Sequence, residues 1–184
     1  MIRAILIGHG RMGRMIEETM AREGSFELLG VVDMGLFEKP EDVPGQADVV
    51  IDFSYPGNLE KVLAFGVTRG CPLVLGTTGY SEEQLARIRE AAERTAVVHS
   101  SNYSTGVAAL VQALRLVAPK LMDSFDVEIV ETHHNKKADA PSGTAKLLAD
   151  AIDPAGEFPR VYGREGQVGA RGREIGIHAV RGGT

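Results

Sequence analysis

The hydrophobic pattern changes character near residue 104. Before it, short apolar runs alternate with amphipathic stretches. Ala4-Ile5-Leu6-Ile7 has no polar alternation, which predicts a parallel strand buried on both faces. Gly8-His9-Gly10-Arg11-Met12-Gly13 follows, and a helical pattern then runs through Met20. Leu28 to Val32 reads as a second strand ending at Asp33, with a Pro/Gly-rich loop over roughly 35–46. Val49-Val50-Ile51 is a third strand, ending in Asp52-Phe53-Ser54. A helix from about Leu59 to Thr68 leads to the strand Leu73-Val74-Leu75 and the turn Gly76-Thr77-Thr78-Gly79. Ser81 and Gln84 form a capping box, and Leu85, Ile88 and Ala92 mark one face of the helix it starts. Ala96-Val97-Val98 is a fifth strand. Alternation of this kind predicts a Rossmann-type doubly wound parallel sheet.

After residue 104 the pattern is different. Gly106 to Leu121 is a long apolar helix, and Asp126 to Glu131 a strand rich in β-branched residues. Thr144 to Ile152 reads as a helix, Asp153 to Arg173 as Gly- and Arg-rich loop, and Ile175 to Val180 as a strand. The expected organisation is a dinucleotide-binding domain over 1–103. A smaller mixed α+β domain for substrate binding and oligomerisation follows over 104–184.

Composition narrows the class. A chain of 184 residues, 43% hydrophobic and 24% charged, is that of a soluble globular protein. Its net charge of −5 speaks against a nucleic-acid or membrane-surface partner. The single cysteine, Cys71, excludes an internal disulfide. With no visible signal peptide and no apolar run long enough to span a bilayer, it predicts a cytoplasmic location. Cys71 has no evident base nearby and reads as a small buried apolar residue.

The glycine loop fits G-x-G-x-x-G, a weak signal alone and a stronger one between a strand and a helix. Gly8 permits the tight turn, Gly10 the approach of a pyrophosphate, and Gly13 close packing of helix on strand. Asp33 lies 20 residues past Gly13, where a carboxylate takes ribose hydroxyls. Its charge would repel a 2′-phosphate, and Met34 offers no compensating cation. NADH is therefore favoured over NADPH, with Arg11 the one nearby residue that could soften the preference. Gly76-Thr77-Thr78-Gly79 and Ser100-Ser101-Asn102-Tyr103 stand at carboxyl ends of strands, where such sheets place their ligand. Turn chemistry alone is the alternative reading of both.

The most concentrated chemistry is Glu131-Thr132-His133-His134-Asn135-Lys136-Lys137, followed by Ser142-Gly143-Thr144. Three readings are open: a metal pair, a solvated basic loop, and a site that holds an anion and hands it a proton. Adjacent histidines on an extended chain point to opposite sides and chelate poorly, and no second cluster has metal-like spacing. Histidine titrates near neutral pH, lysine supplies a fixed charge, and a helix N-terminus at 142–144 offers N–H groups to a carboxylate. The acid-and-anion reading is preferred. His9 reads as a spacer in its loop.

ETHHNKKADAPSGTA closely resembles the signature of the 4-hydroxy-tetrahydrodipicolinate reductase (dihydrodipicolinate reductase) family of lysine and diaminopimelate biosynthesis. GHGRMGR, DVVIDFSYPGN, VLGTTGY, SSNYSTGV and GIHAVRGG resemble further family segments in the same order. The resemblance implies NAD(P)H-dependent reduction of a cyclic imine dicarboxylate to tetrahydrodipicolinate. It implies that His133 is the proton donor and Lys137 its catalytic and substrate-anchoring partner. His134, Ser142, Gly143 and Thr144 would hold substrate carboxylates. Gly8, His9, Gly10, Arg11, Met12, Gly13, Asp33, Phe53, Gly76, Thr77, Thr78, Ser100, Ser101, Asn102 and Tyr103 would hold the cofactor. Family members are usually homotetramers paired through the second domain's sheet. SSNY stands where the family more often has an Ala-Pro-Asn-Phe string. Family members also continue for some tens of residues past the equivalent of Thr184, so an incomplete second domain is expected. The rival functions are a non-catalytic NAD(H)-sensing Rossmann protein and another Rossmann dehydrogenase of amino-acid metabolism.

Overall fold

Short apolar runs with nothing polar to show to water must be covered on both faces, and a parallel sheet does this. In the computed structural model, which describes residues 1–184, the strands β1 (Ile2–Ile7), β2 (Phe26–Val32), β3 (Val49–Asp52), β4 (Leu73–Leu75) and β5 (Val97–His99) form one wholly parallel sheet. Its order is β2-β1-β3-β4-β5. The helices α1 (Arg11–Glu23), α2 (Leu59–Arg69) and α3 (Glu82–Ala92) connect the strands. Right-handed crossovers that reverse direction after β2 place α1 on one face and α2 and α3 on the other. The result is a doubly wound α/β sheet of Rossmann type. Ala4, Ile5, Leu6, Ile7, Val50, Leu73 and Leu75 are each at most 1% exposed, so the unalternated runs are its core. The capping box at Ser81 and Gln84 starts α3.

The chain divides into two compact units, Met1–Ser101 and Asn102–Thr184. The second contains α4 (Thr105–Leu121), capped by Ser104, then β6 (Val127–His133), α5 (Gly143–Ile152), β7 (Arg160–Tyr162) and β8 (Ile175–Arg181). Its three strands are all parallel, in the order β6-β8-β7. Ile175 and Ile177 pack with Ala118, Ala145, Ala149 and Ile152 beneath them.

Two differences from the sequence reading shape the second unit. β6 continues two residues past Glu131, so His133 ends a strand and does not begin a loop. The segment expected to be loop, 153–173, contains the edge strand β7. No helix fills the β7-to-β8 crossover. Arginines hold it in place: Arg171 reaches Asp126 and Glu128 and the carbonyls of Val127 and Glu174, and Arg164 reaches Glu128 and Glu174. Glu128 lies flat across β8 because residue 176 is glycine; a Cβ there would sit 1.9 Å from its carboxylate oxygen. Asp153 anchors the segment that leads from α5 into β7 through the amides of Glu157 and Phe158 and the Arg160 guanidinium.

Candidate active site

In the first unit the glycine loop leaves β1 at the point where the strand order reverses, the usual ligand crevice of such sheets. Gly8 has φ +92°, and a Cβ on it would meet the Phe53 carbonyl at 2.6 Å. A Cβ on Gly13 would lie 2.0 Å from the Gly8 carbonyl. Gly10 has nothing within 4 Å of where its Cβ would be. Two glycines thus pack the turn against the protein, while the third leaves open space before the N-terminus of α1. That space and those free N–H groups fit a phosphate. The Asp33 carboxylate, at the end of β2, accepts from the amides of His9 and Met34, so it is fixed beside the loop. The His9 ring turns away to pair with Glu17 at 2.7 Å. Arg11 and Met12 are exposed.

Asp52, at the end of β3, was not singled out by the sequence. It is fully buried and accepts from Ser54 N (3.1 Å), Ser54 Oγ (2.5 Å), Thr77 Oγ1 (3.0 Å) and the Tyr80 hydroxyl (3.2 Å). Burial pushes its carboxyl above the usual range, against the pull of these donors. Thr77, one of the residues expected to touch cofactor, is itself buried and turns its hydroxyl inward onto Asp52. The Phe53 ring lies over Gly76, where a Cβ would be 2.2 Å from it. Thr78 and Ser101 are exposed, and the Ser100 amide continues the sheet by donating to Leu75 O.

In the second unit, β6 and β8 bring the cationic cluster to the start of α5. Glu131 and His133, two apart on β6, share one face of the strand. Glu131 accepts from the two terminal guanidinium nitrogens of Arg181 at 2.9 Å, from Ser142 N at 3.0 Å and from His133 Nδ1. The Arg181 guanidinium holds its carboxyl down to about 2, with help from His133 and Ser142 and against the cost of burial. The turn after β6 is tied to the chain beyond β8: Gly182 N donates to His133 O and Asn135 N to Gly183 O. His134 accepts at Nδ1 from Lys136 N at 3.2 Å. Lys137, mostly buried, pairs with Asp139 at 2.7 Å, and that contact draws the Asp139 carboxyl below its usual range. The Lys136 side chain is exposed.

Ser142 caps α5 by accepting from Ala145 N at 3.1 Å. The amides of Gly143 and Thr144, at the first two helical positions, have no acceptor within the helix. Such free amides at a helix start suit an anion. Asn102 Nδ2 donates to Thr144 Oγ1 at 2.9 Å, while Asn102 Oδ1 accepts from Ser104 N at 2.8 Å. Because Ser104 N can only donate, the orientation of this amide is determined. Thr144 accepts from Asn102 and has its own proton left to give.

His133, His134, Lys137, Ser142, Gly143, Thr144 and Asn102 are therefore neighbours within one unit. Gly8 to Gly13, Asp33, Phe53 and Gly76 to Thr78 gather in the other. Glu131, Asp139 and Arg181 were missed as site residues. The spacing of Glu131 from His133 on a strand was a usable signal. Arg181, 50 residues away, gave none. No group of three or more His, Cys, Asp or Glu side chains is arranged to hold a metal ion.

The family models for the N-terminus and the C-terminus of dihydrodipicolinate reductase match residues 2–103 and 106–184. The chain belongs to the dihydrodipicolinate reductase family. Relatives named 4-hydroxy-tetrahydrodipicolinate reductase include those of Exiguobacterium sp., 42% identical over 98% of this chain and 73% of the relative. Those of Clostridium tetani (38%, covering 100% and 76%) and Caldanaerobacter subterraneus (41%, covering 100% and 77%) are similar. The chain thus spans about three-quarters of these relatives' length. A solved structure of dipicolinate-bound dihydrodipicolinate reductase from Paenisporosarcina sp. superimposes with a TM-score of 0.68. It is 27% identical, with 99% of this chain and 79% of the other covered.

Proposed function

We propose that this chain reduces the dihydrodipicolinate-type cyclic imine dicarboxylate to tetrahydrodipicolinate in diaminopimelate and lysine biosynthesis, with His133 as the acid. The observation that carries this is the network in which one carboxylate, Glu131, holds both the imidazole of His133 and the amide of Ser142, the cap residue from which the α5 anion site starts. Proton source and carboxylate cradle are thereby set at a constant spacing. Lys137 neutralises charge on the substrate's carboxylates, and His134, the amides of Gly143 and Thr144 and the Thr144 hydroxyl donate hydrogen bonds to them. The dipicolinate held by the Paenisporosarcina relative has two carboxylates on a planar ring, which matches such a cradle in kind.

Gly8 to Gly13 would hold the pyrophosphate of a nicotinamide cofactor, Asp33 its adenosine ribose, and Phe53, Gly76 to Thr78 and Ser100 to Tyr103 the nicotinamide end. When bound, that cofactor supplies hydride to the conjugated system. Asp33 favours NADH, and its inward anchoring by the amides of His9 and Met34 keeps the negative charge in place. A cytoplasmic homotetramer is the proposed working state. The single cysteine is a free, buried thiol, as suits a reducing compartment, and no helix is long and apolar enough to cross a membrane.

The test is NADH oxidation coupled to a synthase that generates the substrate. His133→Gln should lower turnover by roughly 10²-fold or more with NADH binding nearly unchanged. Wild-type turnover in that variant overturns the assignment.

A further inference from the structure

Two adjacent histidines could serve either role, and the reading above gives them different ones. The hydrogen bonds at their Nδ1 atoms supply a physical reason. Glu131 has two oxygens and four acceptor positions, and the contacts already described use all four: two from Arg181, one from Ser142 N and one from His133 Nδ1. A carboxylate held ionised by a guanidinium can only accept. His133 Nδ1 must therefore carry a hydrogen. The other ring nitrogen, Nε2, is the one that gains and loses a proton. His134 is in the opposite condition. Its Nδ1 accepts from Lys136 N, and a backbone amide can only donate. When neutral, His134 must carry its hydrogen on Nε2, and protonating it would break the bond to Lys136.

We propose that Glu131 is a positioning residue that holds His133 in the Nδ1–H form, and that the opposite tautomer of His134 makes its Nε2–H a donor to the substrate anion. This rests on the reading of His133 as the acid. In the step itself the Nε2–H bond of the His133 imidazolium breaks and the proton goes to the substrate that has accepted hydride. His133 is left neutral with hydrogen on Nδ1, and Nε2 is reprotonated from solvent. His134 ends the step as it began. Arg181 belongs to the device: it keeps Glu131 ionised and aimed, and its second set of bonds, to Val180 O at 2.8 Å and Asp139 O at 2.7 Å, fixes the guanidinium in turn. The charged groups joined to His133 through this network are Glu131 on its own strand, Arg181 on β8, and Lys137 with Asp139 in the turn.

The tautomers are read directly on the wild-type protein by NMR of isotope-labelled histidine nitrogens, above the pH at which both rings are neutral. The signals are assigned by their loss in His133→Gln and His134→Gln. The expected result is Nδ1–H for His133 and Nε2–H for His134. Nε2–H for His133, or the same tautomer for both, overturns the proposal. A second measurement separates positioning from mere support. Turnover should fall as pH rises and His133 loses its proton. In Glu131→Gln the imidazolium loses its anionic partner, so that limb should move to lower pH. In Arg181→Gln a cation is removed and the limb should move to higher pH. Reduced turnover in both variants with the limb unmoved would make Glu131 structural only and overturn the proposal. Full turnover in His133→Gln would instead defeat the acid assignment, while the tautomers, read without substrate, would stand or fall separately.

Discussion

Lys137 already has a partner at 2.7 Å in Asp139, an exposed carboxylate two residues on. A bound dicarboxylate competes with that partner and does not meet a bare ammonium. The lysine is thereby kept pointed until substrate arrives. Lys137→Ala should weaken dipicolinate by roughly 10–100-fold, since a hydrogen bond to a charged group contributes about 1.5–3 kcal/mol. Calorimetric titration showing equal affinity in wild type and variant would remove Lys137 from the anion site. Asp33 is the matching residue in the nucleotide unit. Its carboxylate repels a 2′-phosphate, so NADH should bind at least as tightly as NADPH. Asp33→Ala should weaken NADH and relatively favour NADPH. Titration of both cofactors into both proteins decides this, and a wild type that clearly prefers NADPH would mean that Arg11 dominates.

At the scale of elements, the turn from β1 into α1 depends on two close approaches that no side chain survives. Gly13→Ala would drive a methyl into the Gly8 carbonyl, 2.0 Å away, and helix or loop must move. The expected cost is about 1–3 kcal/mol with a displaced phosphate loop. Thermal unfolding should report the first and loss of cofactor affinity the second; an unchanged melting temperature and affinity would contradict the packing. Gly10→Ala, with open space at its Cβ, should spare stability and hurt cofactor binding alone. The elements of the nucleotide unit were readable because each carries its own local signal: an unalternated apolar run, a capping box, a glycine after a strand. β7 was not readable. It is three residues long, Arg160 to Tyr162, and pairs on one side only, with β8. β4 is as short, but Leu73-Val74-Leu75 is an unbroken apolar run, whereas Arg160-Val161-Tyr162 sets one small apolar residue between a cation and a phenol and carries no local signal.

For the molecule as a whole, arginine-held carboxylates set the response to acid: Asp48 beside Arg3 in the first unit, and Glu128 and Glu131 in the second. Glu128, beside Arg164, Arg171 and His178, and Glu131, beside Arg181, are both lowered from 4.5 to about 2. A depressed carboxylate stabilises the fold fully above its unfolded value and loses that contribution as pH falls through the folded one. The second unit should therefore lose stability progressively between about pH 4.5 and 2. Glu128→Gln should be less stable than wild type at neutral pH and nearly equal to it at the acid end, by denaturant unfolding at a series of pH values. A constant difference across that range would mean that Glu128 contributes by packing and not by charge.

By itself, the sequence determined the alternating architecture of the first unit, the glycine loop with its acidic residue after the second strand, and the cluster from His133 to Thr144. Each of these is a short-range property, in which neighbours along the chain settle both conformation and chemistry. Only the tertiary structure decided which groups work together. Arg181 meets Glu131 because β8 lies beside β6 in register, His133 against Arg181. Asp52 meets Thr77 and Tyr80 because β3 and β4 end side by side. Asn102 meets Thr144 across 42 residues of chain. Such pairings depend on strand order and register, which follow from burying the whole apolar surface at once, and no local stretch of sequence contains them.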